Sequence, residues 1–143
     1  MIFSQQQIFS DAQAIVATAI STNVIDLGVR GTPYGAAAPI TGDKGKGTKI
    51  PLLAQVTEDF DNLTTLEIAI EVGPTTALGT VLSSQIVALA DLIAGKQIAL
   101  DCLPNGVDQR YLGMRYTVVG TAPSAGKITA GITMGNQTNV TGA

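Results

Sequence analysis

Apolar and polar side chains alternate with a period of two over much of this 143-residue chain, the pattern of strands that bury one face. The clearest case sets Leu66, Ile68, Ile70 and Val72 against Glu67, Ala69 and Glu71. It predicts a strand with one face in a core and one in water. Two later segments behave alike. Leu112, Met114, Tyr116 and Val118 share a side in Arg110–Val119, and Ile128, Ala130, Ile132 and Met134 share one in Lys127–Met134. Separated only by a Gly/Pro break, they read as an antiparallel hairpin whose apolar face needs a second layer to cover it. Shorter strands are predicted at Thr22–Gly28, from Pro51 to Val56, and within Lys96–Leu103, with a turn at Pro104-Asn105-Gly106. One stretch fits two periods. Leu82, Ile86, Leu89 and Ile93 recur at helical spacing with Gly95 as a stop, while Ser84–Leu89 also fits a strand leading into one turn at Ala90–Ala94.

Two segments stand outside the alternation. Residues 1–20 carry the apolar clusters Ile2/Phe3 and Ile8/Phe9 around a glutamine-rich link, and Ser10-Asp11 is placed to cap a helical turn over Ala12–Ile15. This segment is either an arm that docks on a neighbouring subunit through Phe3, Ile8 and Phe9, or an edge strand tucked into its own core. Residues 31–49 form a long Gly/Lys-rich loop in which Lys44, Lys46 and Lys49 make the one dense basic patch. Loops of that length in a compact domain are more often functional or mobile than incidental. The lysine run lacks the spacing of a phosphate loop and no helix pattern follows it, so it reads as a solvated or partner-contacting loop. Gly120–Lys127 has wrong glycine spacing for a phosphate loop, and Ile128 stands where Ser or Thr is required.

The length fits a single domain, residues 1–143, able to bury about 70% of its unfolded surface. Hydrophobic residues make up 45% of it but charged residues only 13%, a sparse charge density that fits a surface partly covered by partners. A net charge of −3 offers no global attraction for a phosphate backbone, so nucleic acid is not an expected partner. No apolar run approaches a membrane span, and the start has no basic leader, so a soluble product made in a cytoplasm is expected. The sequence has no histidine, hence neither the commonest general base nor the commonest transition-metal ligand. Cys102, alone and within the alternation Ile98, Leu100, Cys102, reads as a small buried hydrophobe. Asp59, Asp61, Glu67 and Glu71 lack calcium-loop spacing and read as an acidic turn and a solvent face. No catalytic, cofactor-binding or metal-ligating residue is nominated, and no enzyme is expected. Three Asn-X-Thr patterns, at Asn62, Asn136 and Asn139, read as chance matches in a threonine-rich chain whose tail from Gly135 is expected to be loose.

Two segments carry a family resemblance. Ile8-Phe9-Ser10-Asp11-Ala12-Gln13-Ala14-Ile15 continuing through Ser21–Gly28, and Arg110–Tyr116 with Ala125–Gly131, resemble the capsid cement (decoration) proteins of tailed bacteriophages, of the Bordetella-phage type. The likeness spans most of the chain and is most specific in the N-terminal run. Gly31–Lys49 departs from it by being longer and more basic. The resemblance implies an all-β, jelly-roll-like antiparallel β-sandwich on the outer surface of the virion. It also implies a homo-oligomer, a dimer before a trimer, that bridges subunits of the major capsid protein. It favours the strand at Ser84–Leu89. In that role Phe3, Ile8 and Phe9 would supply apolar anchors and Lys44, Lys46 and Lys49 would meet acidic capsid surface, so deleting residues 1–9 is expected to lower shell occupancy without unfolding the sandwich. The alternative is a carbohydrate- or receptor-binding sandwich, for which Tyr34 is the loop aromatic and the absence of tryptophan is unfavourable.

Overall fold

The computed structural model describes residues 2–135. Nine strands follow one another: β1 (Phe3–Ala14), β2 (Ala19–Ile20), β3 (Ile25–Asp26), β4 (Pro51–Glu58), β5 (Leu63–Gly73), β6 (Thr80–Ala88), β7 (Gln97–Cys102), β8 (Tyr111–Gly120) and β9 (Lys127–Thr133). A 3₁₀ turn at Leu89–Asp91 follows β6, and no α-helix occurs among the described residues. The strands make two antiparallel sheets, ordered β1-β9-β4-β7 and β2-β8-β5-β6, with β3 also paired to β8. With β2 and β3 counted as one interrupted strand, four strand positions lie in each sheet, in the order of a jelly roll. The period-two faces meet between the sheets. Leu66, Ile68, Ile70, Val72, Leu112, Met114 and Tyr116 of one layer pack against Phe9, Leu52, Ala54, Val56, Ile128 and Ala130 of the other, all buried.

The alternation identified most of the side chains that go inside, although Ala69 and Thr133 on its polar faces are buried as well, and one pairing inferred from it is wrong. β8 and β9 are not a hairpin. β8 pairs with β5 and β9 pairs with β1 and β4, so the 121–126 connection crosses from one sheet to the other. The reason is geometric: a hairpin turns both apolar faces the same way, whereas strands in opposite layers cover each other. Met134 lies beyond the end of β9 and is exposed. The helix fitted to Leu82–Ala94 is likewise replaced by β6 and a short turn, because β5 needs a second neighbour and Val87 supplies the inward apolar contact opposite Leu66.

Residues 12–15 form no helical turn. β1 runs through to Ala14 with three register shifts, and Ala12 takes a left-handed conformation at φ 45° that absorbs one of them. The N-terminal segment is thus the edge strand of its own sheet, the second of the two alternatives. Glu71 does not face water: it is 3% exposed and receives the Arg115 guanidinium at 2.8 Å. Cys102 is half-buried rather than buried. Asn136, Asn139 and the tail beyond Gly135 lie outside the described residues.

A cationic and apolar end of the sandwich

Strand register brings four of the six candidates, Phe3, Lys44, Lys46 and Lys49, to one end of the molecule. Phe3 pairs with Thr133, and Leu52 with Ile132, so the start of β1, the end of β9 and the start of β4 are level. Lys49 stands two residues before β4, which places Phe3 two strands, about 10 Å, across the sheet from the exit of the lysine loop. The β3–β4 connection (residues 27–50) and the 103–110 turn before β8 complete this end. Phe3 is half-buried there, beside exposed Ile2 and Met134. Ile8 lies further along the strand, half-buried and opposite Gly131. Phe9 is 0% exposed and belongs to the chain's own core, so it has no surface to offer a partner.

The lysine loop is pinned by one carboxylate. Asp43 accepts hydrogen bonds from the amides of Gly45 and Gly106, both at 2.8 Å, and of Val107 at 2.9 Å, while the Lys44 amide donates to the Val107 carbonyl at 3.0 Å. The Gly106 amide leads the groups that hold the Asp43 carboxyl below its usual range. Gly45 is required by close approach: a Cβ there would lie 1.9 Å from the Pro104 carbonyl oxygen. With the backbone so fixed, Lys44, Lys46 and Lys49 all point to solvent.

The distribution of ion pairs singles out this segment. Of the eight lysines and arginines, the four outside it are all paired, Lys96 with Asp91, Arg110 with Asp26, Arg115 with Glu71 and Lys127 with Glu58. Arg30, Lys44, Lys46 and Lys49 form no ion pair among the described residues. Arg30 instead donates to the Gly42 carbonyl. Residues 28–49 therefore carry net +3 and the remainder net −6. Sequence reading found the three lysines but missed Arg30, whose partnership with them depends on the fold.

Beside the cations stands an apolar projection. Residues 31–42 contain no charge, and every one of them is exposed. Their backbone hydrogen bonds, Ala36 to Pro33 and Ile40 to Gly31, both at 3.0 Å, are internal. Tyr34 at the tip is fully exposed, with Val29 and Ile40 exposed on its flanks. Between this projection and the lysines lies a solvent-open concavity lined by Arg30, Gly31, Ile40, Gly42, Asp43 and Lys44.

The acidic turn of the sequence lies at the other end and is consumed by backbone. Asp59 accepts from the Ala94 amide at 2.6 Å, and Asp61 from the amides of Ser124 and Ala125 at 2.6 and 3.0 Å. Asp61 thereby fixes the 121–126 crossing.

Fold and surface together define a class: a jelly-roll β-sandwich in which an apolar loop and four cations without an ion pair among the described residues share one end. The chain belongs to the Bbp16 family, whose model matches residues 9–132 and whose name points to a Bordetella phage protein. No curated protein matches the chain.

Proposed function

We propose that this chain is a phage capsid cement protein, which binds the outside of the assembled head and bridges subunits of the major capsid protein. The observation that carries the proposal is the polarised end. A chain of net charge −3 that pairs every cation elsewhere and leaves four without an ion pair among the described residues, beside an apolar loop, is built to meet an acidic, partly apolar protein surface. Membership of a phage-derived family supports the same reading. A protein that binds the closed shell better than its free subunits stabilises that shell by mass action, and many copies make a modest interface sufficient.

Self-association belongs to the same proposal and is assigned to β6. This strand is an outer edge of its sheet, and Thr80–Ala88 contains neither a charge nor a proline, the usual guards of a free edge. Val81 and Ile86 are exposed along it. The other long edge, β1, is broken by three register shifts. An uncharged strand can pair antiparallel with its own copy about a two-fold axis without repulsion.

The test is co-sedimentation with heads assembled from the major capsid protein of a phage that carries this chain. The expected result is saturable binding that weakens from 0.05 to 0.5 M salt, together with a raised temperature of shell disruption. Heads that neither bind the chain nor gain stability would refute the role.

A further inference from the structure

Resting on the capsid-binding proposal, we infer that residues 31–42 are an anchor that seats in an apolar recess of the partner protein, with Tyr34 at its tip and carboxylates around the rim of that recess. Three observations specify this occupant. The projection offers Tyr34, Pro33, Pro39 and Ile40 to solvent with no charge among its twelve residues, which suits a dry seat. Its base carries Arg30, Lys44 and Lys46, cations with no ion-pair partner among the described residues, interleaved with Asp108 and with Asp43, whose carboxylate is taken up by backbone amides; cations stand in excess, so the matching rim is acidic. Its shape is also set before it binds. Two prolines and the Ile40–Gly31 hydrogen bond close it on itself, and Arg30 ties its end at Gly42, so little chain freedom remains to be lost on docking.

Tyrosine is the side chain expected at such a tip, since it brings large rigid area with two rotatable angles and an edge hydroxyl for the rim. An acidic peptide alone would engage the lysines and leave the tip idle. A sugar would stack on Tyr34 but would not call for the ring of cations. A folded protein surface with both features uses all of them.

The experiment compares wild type, the double variant Tyr34→Ser/Ile40→Ser, and a second variant with residues 32–39 replaced by a glycine-serine linker. All are titrated onto heads assembled from the major capsid protein alone. The substituted residues are all exposed, and unchanged thermal midpoints verify that the sandwich stays folded. Both variants are expected to lose at least about tenfold in affinity while keeping the wild-type salt dependence. A photo-crosslinker at position 34 is expected to attach to a capsid segment rich in Asp and Glu. Variants that bind like wild type, or crosslinks that avoid the capsid protein, overturn the anchor and leave the cement role standing. Wild type that fails to bind heads overturns both, as does capture of a glycan by Tyr34 in place of heads.

Discussion

At the scale of single residues, the decisive groups are polar ones that the alternation passes over. Tyr116 lies in the core, and its hydroxyl meets the Ser10 hydroxyl at 2.7 Å. The Ser10 hydroxyl donates to the Gln13 side-chain oxygen, also at 2.7 Å, and Gln13 Nε2 donates to the Ile20 carbonyl at 3.0 Å. The chain ties β1 to β2 and β8 across the sandwich. Tyr116→Phe leaves Ser10 with a partner and is expected to cost about 1 kcal/mol, whereas Ser10→Ala leaves the buried phenol only the weak Met114 Sδ acceptor at 3.9 Å and is expected to cost more, about 1–3 kcal/mol. Urea denaturation of both variants checks the order; a costlier Tyr116→Phe would show that the network is not wired this way.

Carboxylates give a second residue-scale prediction, in pH. The Arg110 guanidinium, with help from the Gly28 amide, holds Asp26 down to about 2 from an ordinary 3.8, and Asp43, Glu58 and Asp61 are lowered by their own hydrogen bonds. Each of these groups binds a proton less readily folded than unfolded. Their contribution to stability is therefore complete above the ordinary carboxylate range and is lost as pH falls through it, for Asp26 down to about 2. The thermal midpoint is expected to be flat from neutral pH to about 5 and to fall steeply below 4, with a shallower fall in Asp26→Asn.

At the scale of elements, the strand faces were legible and their partners were not. Leu66, Ile68, Ile70 and Val72 announce a buried face because period two is a local property. That β8 and β9 lie in opposite sheets is not local: it follows from where β4 and β5 must sit. Nor could Leu82–Ala94 be assigned from its own spacing, since Leu82, Ile86 and Leu89 satisfy 3.6 as well as Val87 satisfies a strand. The N-terminal segment shows the consequence for experiment. Removing residues 1–9 deletes Phe9 from the core and most of β1, so it is expected to destabilise the sandwich, against the expectation drawn from sequence. Removing residues 1–6 spares Phe9 and tests Phe3 alone. The free edge of β6 yields the matching prediction. Ile86→Lys points a charge outward on the edge strand and is expected to convert the proposed dimer, of about twice the chain mass, into monomer in sedimentation equilibrium, with the fold retained. A mass unchanged by this substitution would place self-association elsewhere.

At the scale of the whole molecule, the candidate end was half legible. Lys44, Lys46 and Lys49 stand together in the sequence, but their significance lies in the pairing of every cation beyond residue 49, which only the fold displays. Such segregation makes the molecule a dipole that orients as it approaches an acidic surface, raising the association rate more than the lifetime of the complex. A matched pair of substitutions separates location from net charge. Lys46→Gln and Lys96→Gln each take the net charge from −3 to −4, but Lys96 lies near the far end of β4, roughly 20 Å away, where it is paired with Asp91. Stopped-flow mixing with heads at low salt is expected to show slower association for Lys46→Gln and an unchanged rate for Lys96→Gln, with dissociation alike in both. As the Debye length shrinks to about 3 Å near 1 M salt, the difference should vanish. Equal slowing by the two substitutions would mean that net charge alone governs the encounter and that the cationic end has no directing role.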